Sequence, residues 1–377
     1  MTLVLHDSGR VGKLKWAETA VQNCGVKRLI LSPFETPPVG MPRRPSASDC
    51  VKAINAVGGE VLLDPTTHAL TSVSNKTGIY DMWQLWSGND RTSDAALIDH
   101  VQRWLACHAS LSVSSVVPTL ALVHPTGDMA SAVLKMMEEG LRINPSATVS
   151  IAGTPGFWNS GGYLDAMVGE VAQLRPKEVV LTVVHDSPTY PVALGVGSLH
   201  GICRTTHSFS IRSLVTIGYG DLAGLPAAVA GATYLGTGWD LTQRRFSQEL
   251  SIETTSGGGG AVRRYTHEGL VAVLKEKEAQ QLAQLNPGLS QQLLPGKLPP
   301  DIPAMWQAHL ATLAGAMGSI QANASRRDRY KCLRALYDSA AANFPSVIQA
   351  TPLAKDHKDW IEPFRAGLDA YAAAEGF

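Results

Sequence analysis

The chain has 377 residues, of which 45% are hydrophobic and 17% charged, and its 32 basic residues balance 32 acidic ones. That length holds a complete barrel of about 250 residues plus a smaller domain, and the hydrophobic share excludes a disordered chain. A net charge of zero excludes a generic polyanion binder and leaves nucleic acid only a local patch to engage.

The first predicted strand, Leu3–Leu5, starts so near Met1 that no signal peptide fits, and no apolar stretch is long enough to span a bilayer. The cysteines Cys24, Cys50, Cys107, Cys203 and Cys332 form no C-x-x-C pair, which points to a reducing compartment and away from a cysteine zinc site. The expected location is the cytoplasm, without membrane contact. After Leu3–Leu5, further short β-branched or apolar runs occur at Arg28–Leu31, Glu60–Leu63, Val116–Val123, Thr148–Ala152, Val179–Val184, Leu214–Ile217 and Thr233–Leu235. Helical periodicity separates them, over Lys15–Cys24, Ala47–Val57, Asp94–Ser110, Asp128–Leu141, Tyr163–Leu174, Ser198–Arg212 and Gly224–Ala230. Gly25 and Gly58-Gly59 stop the first two helices, and Asp94 and Asp128 read as N-caps. Strands alternating with crossover helices predict an α/β fold, a (β/α)8 TIM barrel over residues 1–253.

Four consecutive glycines after Ser256 mark a linker over residues 254–265. Helical periodicity resumes over Thr266–Leu285, Ala304–Asn323, Arg327–Phe344 and Trp360–Ala374, with a proline-rich connector at Pro287–Pro303. These segments predict a helical C-terminal domain over residues 266–377, packed on the barrel.

In such a barrel the loops after the strands build the site. The residues in that position are His6, Asp7, Glu35, Asp64, His68, His124, His185, Asp186, Asp221 and Asp240. Asp64, Asp186 and Asp240 are the expected catalytic carboxylates, with Asp64 orienting the ligand as acid or base and Asp186 or Asp240 acting as nucleophile or partner. A crowded, partly dry pocket separates the pKa values of such groups. Neighbours on a strand point to opposite faces, so one member of His6-Asp7 and one of His185-Asp186 is expected to face the pocket. Asp7, His124, His185 and Asp221 complete the expected polar contacts.

Gly218 and Gly220 end the seventh strand, and Gly236 and Gly238 the eighth. Glycines there let backbone amides approach an anion, and Arg244 and Arg245 follow to add charge-assisted contacts. Trp83, Trp86, Trp158 and Trp239 fall in predicted loops, where large rings offer a lid or a stacking surface, Trp158 foremost. The expected ligand is a small nucleotide-like or sugar-phosphate-like molecule, and no cofactor is expected.

The final quarter of the barrel resembles the tRNA-guanine transglycosylase superfamily. A glycine-ended strand at Gly218–Asp221, a Leu/Ala-rich helix at Leu222–Gly231, an eighth strand at Thr233–Gly238 and a Thr-Arg stretch at Thr242–Arg245 follow in the family's order. By strand count Asp64 matches the family's base-contacting aspartate. The resemblance implies glycosidic base exchange at a ribose, with a carboxylate attacking the anomeric carbon. The sequence departs from the family at Asp64-Pro65-Thr66-Thr67, at His124 in place of an acid, and at Gly236 in place of the nucleophile, and it lacks the cysteine-rich zinc site.

Two other classes are compatible with the same residues. A metal-dependent hydrolase would hold a divalent ion with His6, Asp64, His124, His185 and Asp240, although neither H-x-H on the first strand nor H-E-x-x-H is present. A non-catalytic barrel subunit would use the helical tail and the Arg326-Arg327-Arg329 cluster to recruit a protein or nucleic-acid partner.

Overall fold

Parallel pairing joins β1 (Thr2–His6), β2 (Val26–Leu31), β3 (Glu60–Leu63), β4 (Ser114–Ser115), β5 (Ala121–Leu122), β6 (Val149–Gly153), β7 (Glu178–His185), β8 (Leu214–Gly218) and β9 (Tyr234–Thr237) in the order β4-β3-β2-β1-β9-β8-β7-β6-β5. The computed structural model describes residues 1–8, 12–72, 77–185, 192–247, 263–351 and 358–377. The ring closes between β4 and β6 through a parallel bridge of Val116 with Thr148. There the Val117 amide donates to the Thr148 carbonyl at 2.8 Å, and the Thr148 amide to Ser115 at 2.9 Å. β4 and β5 are therefore two ends of one fourth strand, and the fold is a (β/α)8 barrel. The predicted strand Val116–Val123 is broken at Pro118, which has no amide to give the ladder.

The crossover helices are α1 (Lys13–Asn23), α2 (Ala47–Ala56), the short α3 (Thr77–Asp81), α4 (Asp94–Ala109), α5 (Asp128–Ile143), the single turn α6 (Pro155–Trp158), α7 (Gly162–Gln173), α8 (Val196–Ser210) and α9 (Leu225–Ala230). Ser93, not Asp94, caps α4, its hydroxyl accepting from the Ala96 amide, and Gly127 precedes α5. Asp94 and Asp128 instead sit in the first turns, where the helix dipole favours a carboxylate.

Alternation along the strands fills the interior in layers. At the N-terminal end the Arg28 guanidinium donates to Glu178 at 2.5 Å and to Glu60 at 3.1 Å, and lies 4.8 Å from the Tyr234 ring centre. Above it Val4, Ile30, Leu62, Val116 and Val180 form an apolar layer. Ala69, Ala121, Ala152, Val184 and Phe246 form the next, near the C-terminal strand ends. Phe246 reaches that layer because β10 (Phe246–Ser247), which follows the short α10 (Leu241–Arg244), pairs in parallel with β7.

The tail is not helical from its start. β11 (Arg264–His267) and β12 (Ala272–Lys275) make an antiparallel hairpin where the sequence predicts the first half of a helix. Both faces of the hairpin are largely buried, so the period-two signal of a strand is absent from Tyr265–Leu274. α11 (Glu276–Leu285), α12 (Pro287–Leu293), α13 (Ile302–Gln321), α14 (Arg326–Ala350) and α15 (Ile361–Glu375) follow, with α12 inside the expected connector. α15 packs on α8 so closely that a Cβ on Gly367 would stand 2.9 Å from the Leu199 Cβ. Of the predicted linker, residues 254–262 lie outside the described residues. Arg326 and Arg329 turn towards the chain, donating to the Ser210 hydroxyl at 3.3 Å and the Asn323 carbonyl at 2.9 Å. No helix among the described residues is long and apolar enough to cross a membrane.

Removing Glu178 leaves the buried Arg28 guanidinium with only the more exposed Glu60 as its carboxylate. Glu178→Ala should lower the free energy of unfolding by roughly 2–4 kcal/mol in urea denaturation, below the full cost of an unpaired buried charge because Glu60 remains. A loss below about 1 kcal/mol would show that the pair does not hold the barrel floor.

Candidate functional site

His6 and Asp64 stand at the C-terminal ends of β1 and β3 and, by strand alternation, turn into the barrel mouth. Asp64 continues the ladder, its amide donating to the Leu31 carbonyl at 2.8 Å. The chain then turns sharply: Thr66 has φ 50°, and its amide donates to Asp64 Oδ1 at 2.7 Å. The Thr66 and Ser32 hydroxyls share a hydrogen bond at 3.0 Å. Asp64 is buried, and loss of water pushes its carboxyl up to about 6 against the opposing pull of the Thr66 amide.

The opposite wall is Tyr219, the first residue after β8. It too has a left-handed backbone, with φ 53°, a strained state for a bulky residue and one that clusters at functional sites. Its ring stacks on the His6 imidazole at 3.6 Å, and its amide donates to His6 Nε2 at 2.9 Å. His6 Nε2 is thus an acceptor. Burial and the nearby His68 lower the His6 pKa to about 3, so the ring is neutral with its proton on Nδ1. Gly236 is required at this point, since a Cβ there would lie 2.5 Å from His6 Nε2 and 2.8 Å from the Tyr219 amide.

His68 completes the ring of neutral groups, its pKa lowered by burial to about 3 and its ring 4.4 Å from Phe246. Phe246 lies 5.3 Å from Tyr219, whose phenol is held protonated by burial and by the negative charges of Asp64, Glu35 and Asp7. The mouth therefore combines one carboxyl that titrates near neutrality with two neutral imidazoles, a phenol and the Ser32 and Thr66 hydroxyls.

The other predicted site residues are not gathered there. Asp7 turns away from His6 into a buried ion pair with Lys13 at 2.7 Å. It also accepts from the Ser8 and Ser32 amides at 2.7 and 3.3 Å and from the Thr36 hydroxyl. It locks the first two loops together. His124 is exposed, because β5 ends at Leu122 and the chain bends outward. Asp186 lies outside the described residues. His185 faces the outside of the barrel wall, where it lines a small apolar cavity with Trp158, Leu181, Val183, Leu194 and Leu199. Burial there, and then Arg245, lower its pKa to about 4.

Trp158 is fully buried in the wall of that cavity and donates to the Gly153 carbonyl at 2.9 Å, so it is no exposed platform. Trp83 donates to the Thr36 carbonyl at 3.0 Å, and Trp86 stacks on His100 at 4.0 Å; both rings pin the long loop after β3 to the barrel. Gly218, Gly220 and Gly238 are needed for packing, since a Cβ on each would run into Thr182, Leu235 and Gln243 respectively. Gly218 and Gly220 also line the apolar cavity beside His185.

Asp221 faces the tail and is fully buried. It accepts from His309 Nε2 at 3.0 Å, from the Leu222 amide at 2.8 Å and from the Thr237 hydroxyl, with Arg244 Nε 3.8 Å away. Burial opposes its ionisation, but these partners prevail and hold its carboxyl well below the usual range. His309, itself pushed down by burial, bonds the Thr266 hydroxyl through Nδ1 at 2.7 Å. Arg244 donates to the Gly238 and Trp239 carbonyls at 3.0 and 3.4 Å. Asp240 is half-buried at the start of α10, where Gln243 accepts from its amide at 3.1 Å. These residues build the seam between barrel and tail. His6, Asp64, His124, His185 and Asp240 are consequently dispersed, and no group of three or more His, Cys, Asp or Glu among the described residues is placed to hold a metal ion.

No family model and no curated protein matches the chain. Among solved structures it is similar to an L-ribulose 3-epimerase, at 12% identity and a TM-score of 0.38, covering 84% of this chain and 94% of that one. It is also similar to a GH138 enzyme targeting pectin rhamnogalacturonan II, at 8% identity and a TM-score of 0.35, covering 98% of this chain and 70% of that one. Neither is a tRNA-guanine transglycosylase.

The Asp64 carboxyl is raised from 3.8 to about 6, so the folded state retains a proton that the unfolded chain releases. Its contribution to stability falls as pH rises through about 4 to 6, by about 3 kcal/mol. His6 and His68, lowered from 6.5 to about 3, act in the opposite sense: their burial destabilises the fold as pH falls below 6.5. Asp64→Asn removes only the first effect. Urea denaturation should find the variant level with the parent near pH 4 and more stable by about 3 kcal/mol near pH 7. A difference that does not change with pH would mean that Asp64 titrates as an ordinary carboxylate.

Proposed function

We propose that this chain is a barrel enzyme in which Asp64 moves a proton on a small, uncharged cyclic ligand. The observation that carries this reading is the inward carboxyl of Asp64, raised to about 6, beside the neutral rings of His6 and His68. A general acid or base works best with a pKa near the working pH, and burial supplies that here. As a base, ionised Asp64 accepts a proton from a C–H or O–H of the ligand and returns it to another position. In this reading the protonated Tyr219 phenol donates to an oxygen of the ligand, and the Ser32 and Thr66 hydroxyls position its hydroxyl groups. Phe246, Phe34 and Tyr219 supply aromatic walls for a ring.

Uncharged ligands suit this lining because the neighbouring cations have partners elsewhere: Lys13 is held by Asp7, and Arg244 by backbone carbonyls and Asp221. A second reading, bond exchange at a glycosidic carbon, draws on Glu35, whose charge acts on Tyr219 together with that of Asp64. In that reading Asp64 is the acid and Glu35 the partner carboxylate.

Proton NMR in D2O over a panel of unphosphorylated sugars and nucleosides separates the two. Deuterium incorporation with the skeleton intact supports proton transfer, and release of a free sugar supports glycosidic exchange. The proton-transfer rate should fall below about pH 6, and Asp64→Asn should lower it by roughly 10²–10⁴-fold. Turnover unaffected by Asp64→Asn would refute both readings.

A further inference from the structure

A cleft of about 370 Å³ opens at the N-terminal end of the barrel, between the C-terminal ends of α7 and α8 and the turns that lead into β7 and β8. Asp64 stands at the opposite end, so the cleft is a separate site. The Ser213 hydroxyl donates to the Pro176 carbonyl at 2.7 Å and the Leu214 amide to the Lys177 carbonyl at 2.9 Å, which ties the two turns together. Pro176 and Phe209, both buried, and Ile211, 69% exposed, supply the apolar lining. The volume lies in the range of small-molecule sites, roughly 300–1,000 Å³.

The polar lining is cationic. Arg175 and Arg212, both exposed, stand there with the Ser208 hydroxyl, and no residue lining the cleft is acidic. Among the described residues neither guanidinium has a hydrogen bond, an ion pair or a ring contact. The one carboxylate in the two turns, Glu178, enters the barrel and holds Arg28. Lys177 donates to the Ser146 hydroxyl at 3.2 Å, a partner that leaves its charge uncancelled. A cation at a helix C-terminus complements the helix dipole, but each helix end carries only roughly half an elementary charge. Two full charges therefore leave a net positive potential over the cleft. Arg175 also has a left-handed backbone, with φ 52°, where helices most often end in glycine. A long cation occupies a position that favours no side chain at all.

We infer that this cleft binds a small organic dianion, a phosphate monoester or a dicarboxylate, with an apolar body. Each guanidinium offers paired donors to an oxyanion, and the body lies against Pro176, Phe209 and Ile211. A monoanion would leave one guanidinium unmatched, and a bare inorganic anion would leave the apolar lining in water.

Isothermal titration calorimetry of the full-length protein at low salt and about pH 8, where a phosphate monoester carries close to two charges, tests this directly. The probes are phenyl phosphate and phthalate as dianions, phenyl sulfate as a monoanion of similar shape, inorganic phosphate, and phenol. Saturable one-to-one binding of phenyl phosphate or phthalate is expected, at least about fivefold tighter than phenyl sulfate or inorganic phosphate, with none of phenol. The tighter of the first two identifies the head group as phosphate or dicarboxylate. Added salt should weaken that binding, because both guanidiniums are exposed. Arg175→Gln and Arg212→Gln should each weaken it by about five- to tenfold. Ile211→Glu, at a position exposed enough to leave the fold intact, puts a carboxylate in the cleft and should abolish binding. Phenyl sulfate binding as tightly as phenyl phosphate and phthalate, unchanged affinity in both arginine variants, or no saturable binding at millimolar dianion would each overturn the proposal. Asp64→Asn should bind the probe as the parent does, and loss of binding there would move the anion to the barrel mouth and refute the assignment to this cleft.

Discussion

Closing eight parallel strands into a ring sends alternate residues of every strand into one confined interior, and that interior has to be filled. Here the filling is ionic at the N-terminal end, apolar in the middle and polar at the mouth. Arg28, Glu60 and Glu178 close the floor, Val4, Ile30, Leu62, Val116 and Val180 pack above them, and His6, Asp64 and Tyr219 stand at the top. The same alternation that buries Leu62 carries Asp64 inward two residues later. Its unusual protonation follows from that position, since a carboxyl with little water and few donors favours its neutral form.

Strain supports the arrangement. Thr66 and Tyr219 both adopt left-handed backbone after their strands, and each turn aims an amide at a site residue, Thr66 at Asp64 and Tyr219 at His6. Such turns persist only where the surroundings over-determine them. The tail helps to supply that constraint. Asp221, itself at φ 45° and two residues beyond Tyr219, is anchored by His309 of α13 and by Thr237 of β9. The helical tail therefore braces the loop that carries one wall of the mouth.

The barrel was legible because strand and helix periods alternate cleanly and because Asp64 directly ends an apolar run. Of the pair His6-Asp7, one member faces the mouth as strand geometry requires, and it is His6. Three kinds of feature were hidden. Tyr219 and Phe246 look like ordinary loop residues, and only the left-handed turn and the β10–β7 pairing bring them together. The glycines after β8 and β9 also have a packing role that the sequence does not show, since side chains of Thr182, Leu235, His6 and Gln243 occupy the space a Cβ would need. The seam bond between Asp221 and His309 spans 88 residues, a distance over which no local pattern carries information. The hairpin β11–β12 was obscured by burial on both faces, which removes the alternation that distinguishes a strand from a helix.

The protonation of Asp64 in the folded protein is the property on which the functional reading turns. Carbon-13 NMR of carboxyl-labelled aspartate, titrated across pH and assigned by loss of the signal in Asp64→Asn, measures it without any substrate. A midpoint near 6 is the result the account predicts. A midpoint in the ordinary range near 3.9 would contradict it, leaving the barrel mouth without a group that changes charge near neutral pH.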